Sequence, residues 1–433
     1  MNSVLGSLAR WAVRSVPGVR PLGRALLSAV QMPNTEIPEI QALLPIASAS
    51  NTVRFNLLLP SLEQKHLFGG ASTALQFFEA LTAGHADARI VLMDTASVGG
   101  IAQEVLSRWP ATTQLDKDQP GRWLQMMGTG SKKASLALAV RRNDIFVSTI
   151  WWSAYKAKAV LAWQAEHFDR PLGPLLSLIQ DYEPGFYPWG SRYLLAQSTY
   201  HYAGALHAVI NSQTLAAYLQ ARGYSFSSAQ VFEMGLNAAL CKAAFKQPQL
   251  SKEKVLLVYG RPAVERNAFA LLVQSLRLWV QELPQAKNWQ IISLGEAHPD
   301  IALGEGLQLR SLGKLSLEEY AQWLHRAAVG ISLMVSPHPS YPPLEMAAFE
   351  IDVITLPFAN KQMTEHPRWF AVREPLPELL ARQLTACTQA FEVQAHRGPV
   401  QRTIDLTHPW LQQNEPFAFA PALAQRLMAQ VAG

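Results

Sequence analysis

The sequence predicts an α/β protein of two doubly wound domains that face each other. Three observations lead there. Short apolar runs alternate with segments of helical periodicity, the pattern of strands and their crossover helices. The alternation restarts after a polar break at KQPQLSKEK (246–254), so the chain reads as two similar blocks. With 433 residues, each block has room for its own core. Strands joined through helices need right-handed crossovers and pair in parallel, and parallel sheets hold ligands at the carboxyl ends of their strands. The turns after the strands are therefore where chemistry is sought.

Residues 1–50 form a basic amphipathic segment and a linker. Arg10, Arg14, Arg20 and Arg24 precede the first acidic residue, Glu36, and supply +4 of the net charge of +5. The rest of the chain is close to neutral, which argues against a nucleic-acid partner. On a helical wheel Val4, Leu5, Leu8, Trp11, Ala12 and Val16 share one face, with Arg10 and Arg14 opposite. Such a helix suits the surface of an anionic membrane, here through residues 1–31, and is too short and charged to span one. A helix docked on the body and a transit peptide are the plainer alternatives. Two distant cysteines, Cys241 and Cys387, make neither a metal spacing nor a disulfide framework, so a reducing compartment is expected.

The first block, 51–246, offers strands at 53–61, 89–94, 144–151, 174–181 and 206–212, with a helix at 71–83. The second, 247–395, offers strands at 254–260, 289–295, 329–336 and 353–358. Its helices are expected at 265–282, at 316–327 and at 343–350. Ser316 and Glu319 have the spacing of a capping box. Residues 396–433 form a C-terminal extension.

Four turns carry candidate residues. In PSLEQKHLFGGAST (60–73), Gly69 and Gly70 precede a helix, where a backbone can approach an anionic ligand; a tight turn explains them equally well. His66 lies in the same turn. In IQDYEPGFYPWGS (179–191), Asp181 and Glu183 stand among Phe186, Tyr187 and Trp189, a grouping suited to sugar hydroxyls and sugar faces. An aromatic domain interface with Asp181 capping a turn is the alternative. In VLLVYGRPAVERNAF (255–269), Arg261 and Arg266 could grip a phosphate; alternatively Arg266 pairs with a surface carboxylate. In SPHPSYPPLEMAAFE (336–350), four prolines stiffen a loop bearing Ser336, Tyr341, Pro342 and Glu345, and Glu345 falls in the expected first turn of a helix, where capping would suit it. Asp116-Lys117-Asp118 has the spacing of a metal motif but sits in a polar stretch and reads as solvated loop.

Together these turns resemble the glycosyltransferases of the two-Rossmann GT-B fold. In the large retaining group, a Gly-Arg is followed five residues later by a Lys that binds the donor diphosphate; GRPAVERN places Arg261 and Arg266 on those positions. That group's Pro-x-Leu-Glu matches Pro342, Leu344 and Glu345, while GGASTALQFFEALTAGH resembles its glycine loop. QDYEPGFYPW, YGRPAVERNAF and HPSYPPLEMAAFE resemble more narrowly the bacterial rhamnosyltransferases of the WsaF type, over about residues 51–365. Two positions depart: the first Glu of the retaining motif is Pro337, and the Gly after its helix is Glu350.

The resemblance implies transfer of L-rhamnose from dTDP-rhamnose to a surface-polysaccharide or lipid-linked glycan, in the cytoplasm, on the inner face of the membrane. Arg261, Arg266 and Asp181 are then the catalytic candidates, with Asp181 preferred as general base over His66, His85 and Glu183. Gly69, Gly70, His66, Glu183, Ser336, Tyr341, Pro342 and Glu345 are the substrate-binding candidates. No metal or cofactor is expected, because the arginines would stabilise the leaving diphosphate. The rivals are a GT-B protein that binds glycan or nucleotide sugar without turnover, and a GT-B nucleotide-sugar epimerase.

Overall fold

In the computed structural model the described residues are 36–63, 69–94, 98–112, 117–127, 137–233, 235–246, 252–395 and 415–432. The basic segment 1–35, His66 and Asp116 lie outside them. Residues 1–41 form a unit of their own, whose described part contains a short 3₁₀ turn at Pro38–Ile40. All that follows concerns residues 42–433.

The first domain is an eight-stranded parallel sheet. Its strands are β2 (Arg54–Leu59), β3 (Ala88–Leu92), β4 (Ala111–Thr112), β5 (Arg122–Met126), β7 (Asp144–Ser148), β8 (Leu175–Ile179), β9 (Leu206–Asn211) and β10 (Ser228–Phe232), in the order β10-β9-β8-β7-β2-β3-β5-β4. β1 (Leu44–Ala47) and β6 (Ala137–Val140) make a separate parallel pair. The second domain orders seven strands as β13-β14-β12-β11-β15-β16-β17. These are β11 (Glu253–Gly260), β12 (Gln290–Gly295), β13 (Ile301–Gly304), β14 (Leu307–Gly313), β15 (Ala327–Ile331), β16 (Asp352–Thr355) and β17 (Trp369–Ala371), parallel except for the β13–β14 hairpin.

All six residues of β2 are buried because helices cover both faces of the sheet. Gly70–Leu81 (α1) puts Leu75, Phe77, Phe78 and Leu81 on one face, and Trp151–His167 (α2) buries Ala154, Ala157 and Leu161 on the other. The last helix, Ala420–Ala432, returns to the first domain, where Leu423, Leu427 and Val431 join that core and the Phe417 ring lies 5.3 Å from Phe77.

Three expectations need correcting. Asp118 is not in a solvated loop: it accepts from Arg54 (2.5 Å), Arg141 (2.8 Å) and Ser48 (2.5 Å), in an ion cluster that also holds Asp87 and Asp144. Buried arginines on the strand β2 and the turn before β7 require those carboxylates. The helix expected over 265–282 is broken. Glu265–Asn267 is a 3₁₀ turn, Ala268 takes a left-handed φ of 49°, and the helix proper is Phe269–Glu282 (α3). Arg266 therefore stands on the short turn, ahead of the long helix. Finally, the helix with Glu345 starts earlier, at Tyr341–Ala348 (α4), since Pro342 is pre-set for a first turn and needs no N–H there. Glu345 becomes its fifth residue, and capping no longer accounts for it.

Candidate functional site

Sheet order decides where the site sits. In each domain the central strand sends its successors to opposite sides, β3 and β7 beside β2, β12 and β15 beside β11. Crevices open at such switch points, outside the carboxyl ends. Gly69–Gly70 follow β2, Asp181 and Glu183 follow β8, Arg261 and Arg266 follow β11, and Ser336–Glu345 follow β15. His85 lies just before β3, at the amino end of the strands, away from this edge.

The glycine loop and the Asp181 loop touch. Gly69 has a φ of 53°, and a Cβ on Gly70 would meet the Gln180 side chain at 3.2 Å, so both positions favour glycine. Gln180 donates to the Gly70 carbonyl at 3.0 Å, one residue before Asp181.

Asp181 is buried, and three donors reach its carboxylate. Its own turn supplies the Tyr182 N–H at 2.8 Å. The other two come from the second domain: Ser336 donates its hydroxyl to Oδ1, and Arg266 forms an ion pair with Oδ2. Arg266 also lies over the Phe186 ring at 4.0 Å. The residues quoted as separate candidates thus converge from both domains on one carboxylate.

Glu183 faces inward. Its Oε2 accepts the Trp151 N–H, the first of α2, at 2.5 Å, and burial pushes its carboxyl up to about 8, with the nearby Asp181 charge adding to the rise. It anchors the aromatic loop to a helix start. Trp189, in contrast, is 92% exposed.

On the second domain, Tyr259 near the end of β11 lies within electrostatic reach of Arg261, Glu345 and Arg266. Tyr320, on the helix Leu317–Arg326, donates to Glu345 at 2.9 Å, and burial brings that carboxyl up to about 7. Tyr341 accepts from Asn211 of the first domain at 3.2 Å. Glu350, where the retaining group has Gly, holds a left-handed φ of 61° and pairs with Arg368 at 2.6 Å.

Three residues went unmarked in the sequence. Lys314 follows β14 directly, and its ammonium is disfavoured first by desolvation and then by the charge of Arg261 nearby. His338, 4% exposed, accepts from the Ser340 N–H at Nδ1, and its buried Nε2 has no partner among the described residues; burial lowers its pKa to about 4, so the ring is neutral. Lys361, equally buried, donates to the Met334 carbonyl at 2.8 Å and is brought down to about 8 by burial. Lys314 and Lys361 each follow a strand of the second sheet, which was a readable signal. His338 stands inside a quoted motif but its isolation shows only in three dimensions. Among the described residues no group of three His, Cys, Asp or Glu side chains could hold a metal ion, and no helix is long and apolar enough to cross a membrane.

The family described as WsaF, N-terminal domain, matches residues 54–213, and WsaF, C-terminal domain, matches residues 254–385. The O-antigen biosynthesis protein RfbC of Myxococcus xanthus is 29% identical over 241 residues, 55% of this chain; the match spans only 18% of that relative's length. Among solved structures, the UDP-forming α,α-trehalose-phosphate synthase of Burkholderia xenovorans superposes with a TM-score of 0.50 at 8% identity, covering 88% of this chain and 100% of that one. The sucrose-phosphate synthase of Thermosynechococcus elongatus gives 0.49 at 14% identity, covering 88% and 95%. With a domain match on each side of the break, this chain belongs to the WsaF family and has the GT-B fold.

Proposed function

We propose that this protein is a glycosyltransferase that moves L-rhamnose from dTDP-rhamnose to a hydroxyl of a surface-polysaccharide or lipid-linked glycan. The observation that carries the reading is the grouping of Arg261, Arg266 and Glu345 around Tyr259, with Lys314 beside Arg261, outside the carboxyl end of β11. A cationic cluster at a switch point suits a nucleoside diphosphate, and Glu345 suits the hydroxyls of its ribose or sugar. Membership of the WsaF family and the name of the RfbC relative support a role in O-antigen or related polysaccharide synthesis.

In the proposed reaction the acceptor oxygen bonds to the anomeric carbon as the bond from that carbon to the diphosphate breaks. The electron pair leaves on the nucleoside diphosphate, and the hydroxyl proton passes to a base. Arg261 and Arg266 stabilise the growing negative charge, where another enzyme would use a cation. The test is a panel of nucleotide sugars, with and without acceptor glycan, repeated in a metal chelator. Diphosphate release that needs acceptor and survives the chelator is the expected result. An isomerised sugar would mean an epimerase, binding without turnover a non-catalytic protein, and rescue by magnesium or manganese a metal-dependent enzyme.

The proposed setting is the inner face of the membrane, held there by the basic segment 1–31. Deleting residues 1–35 should release the protein from anionic vesicles and leave turnover on a soluble acceptor unchanged. Unchanged co-sedimentation would refute the anchor.

A further inference from the structure

We infer that Asp181 is a positioning residue: it reaches from the first domain to aim Arg266 at the donor diphosphate, so that domain docking and diphosphate capture are coupled through one carboxylate. The inference rests on the reading of Arg266 as a diphosphate ligand. Its support is geometric. Arg266 and Ser336 are tied to one another within the second domain, since the Val335 N–H donates to the Arg266 carbonyl at 2.7 Å. Their side chains form two prongs that close on the two oxygens of Asp181. The guanidinium is held on its face by Phe186, a second contact from the first domain, 4.0 Å away. Only its NH1 is engaged by a carboxylate, so among the described residues Nε and NH2 make no hydrogen bond. A planar fork fixed by an ion pair and a ring, with two donors left over, is preorganised for an oxyanion. Both oxygens of Asp181 are already taken by donors, which separates this role from that of a general base.

Electrostatics alone predicts the opposite behaviour. Removing a negative charge beside an anion site should tighten anion binding. If Asp181 positions Arg266, removing it should weaken binding instead. The experiment compares the parent, Asp181→Asn, Arg266→Ala and the double variant, reading dissociation constants for dTDP and UDP by calorimetry and urea-unfolding midpoints. Asp181→Asn is expected to weaken binding of the better nucleotide about tenfold in the parent, and by less than about twofold once Arg266 is alanine. The unfolding effects should likewise be non-additive. Tighter binding by Asp181→Asn, or the same loss in both backgrounds, overturns the positioning role. Additive unfolding overturns the interdomain pair itself. A parent that binds neither nucleotide overturns the diphosphate reading and the aiming role with it, and the unfolding cycle then decides alone whether the pair joins the domains.

Discussion

Arg261→Ala and Arg266→Ala are each expected to cut turnover at saturating donor by roughly thirty- to a thousand-fold, the loss of one charge-assisted hydrogen bond in a closed site. The effect should appear in kcat as well as in donor affinity, because charge on the leaving diphosphate is greatest in the transition state. The two variants should differ in stability. Arg266 is the ion-pair partner of a buried carboxylate, so among the described residues its removal leaves Asp181 with Ser336 and its own turn as donors. Arg266→Ala should therefore lower the melting temperature as well as turnover, while Arg261→Ala should lower turnover with little change in melting. Arg266→Lys should retain more activity than Arg266→Ala, whereas Arg261→Lys should be less well tolerated than Arg266→Lys if Arg261 uses both arms of its fork. Turnover by Arg266→Ala equal to the parent's at saturating donor would reduce that arginine to an interdomain tie.

Much of the fold was legible because parallel strands covered on both faces read as apolar runs, as in LLL of β2 and VLLV of β11. The Ser316 capping box was also readable, and both its bonds form: the Glu319 N–H reaches Ser316 Oγ at 3.2 Å, and the Ser316 N–H reaches Glu319 at 2.9 Å. β5 was not, because its sequence, RWLQM, mixes polar with apolar residues. Gln125 is buried there beside Arg89, and only the folded sheet supplies that partner. Asp118 escaped for the same reason, its partners lying 23 and 64 residues away. In the candidate site, the turn-after-strand rule pointed to the turns from which Arg266, Asp181 and Ser336 come together. What it could not supply was pairing: Arg266 with Asp181 at a separation of 85 residues, Ser336 with Asp181 at 155, and Tyr320 with Glu345 across two elements. Local sequence places a residue in a turn; its charge partner is set by tertiary packing.

That packing has a consequence for pH. Glu183 is raised to about 8, chiefly by burial, with Asp181 adding repulsion and Trp151 N–H and Arg266 opposing it. In the unfolded chain its carboxyl ionises near 4.5. Between those values the folded state binds one proton more than the unfolded state, so this group's contribution to stability is lost as pH rises, at about 1.4 kcal/mol per unit at the steepest. Above 8 the full penalty applies, on the order of a few kcal/mol. Glu345, raised to about 7, acts in the same direction over a narrower range. Lys158 and Lys361, both brought down to about 8, favour the folded state as pH rises beyond that point, and His338, brought down to about 4, does so between there and its ordinary range. Comparing Glu183→Gln with the parent cancels all four. Glutamine keeps a carbonyl for the Trp151 N–H but cannot ionise, so it mimics the protonated acid. Urea unfolding at pH 5 should give nearly equal stabilities for the two proteins. At pH 8.5 the variant should be the more stable by a few kcal/mol, with the gap opening steadily in between. Parallel profiles from pH 5 to 8.5 would mean that Glu183 is already ionised in the folded protein, and that its contact with the start of α2 is a charged cap.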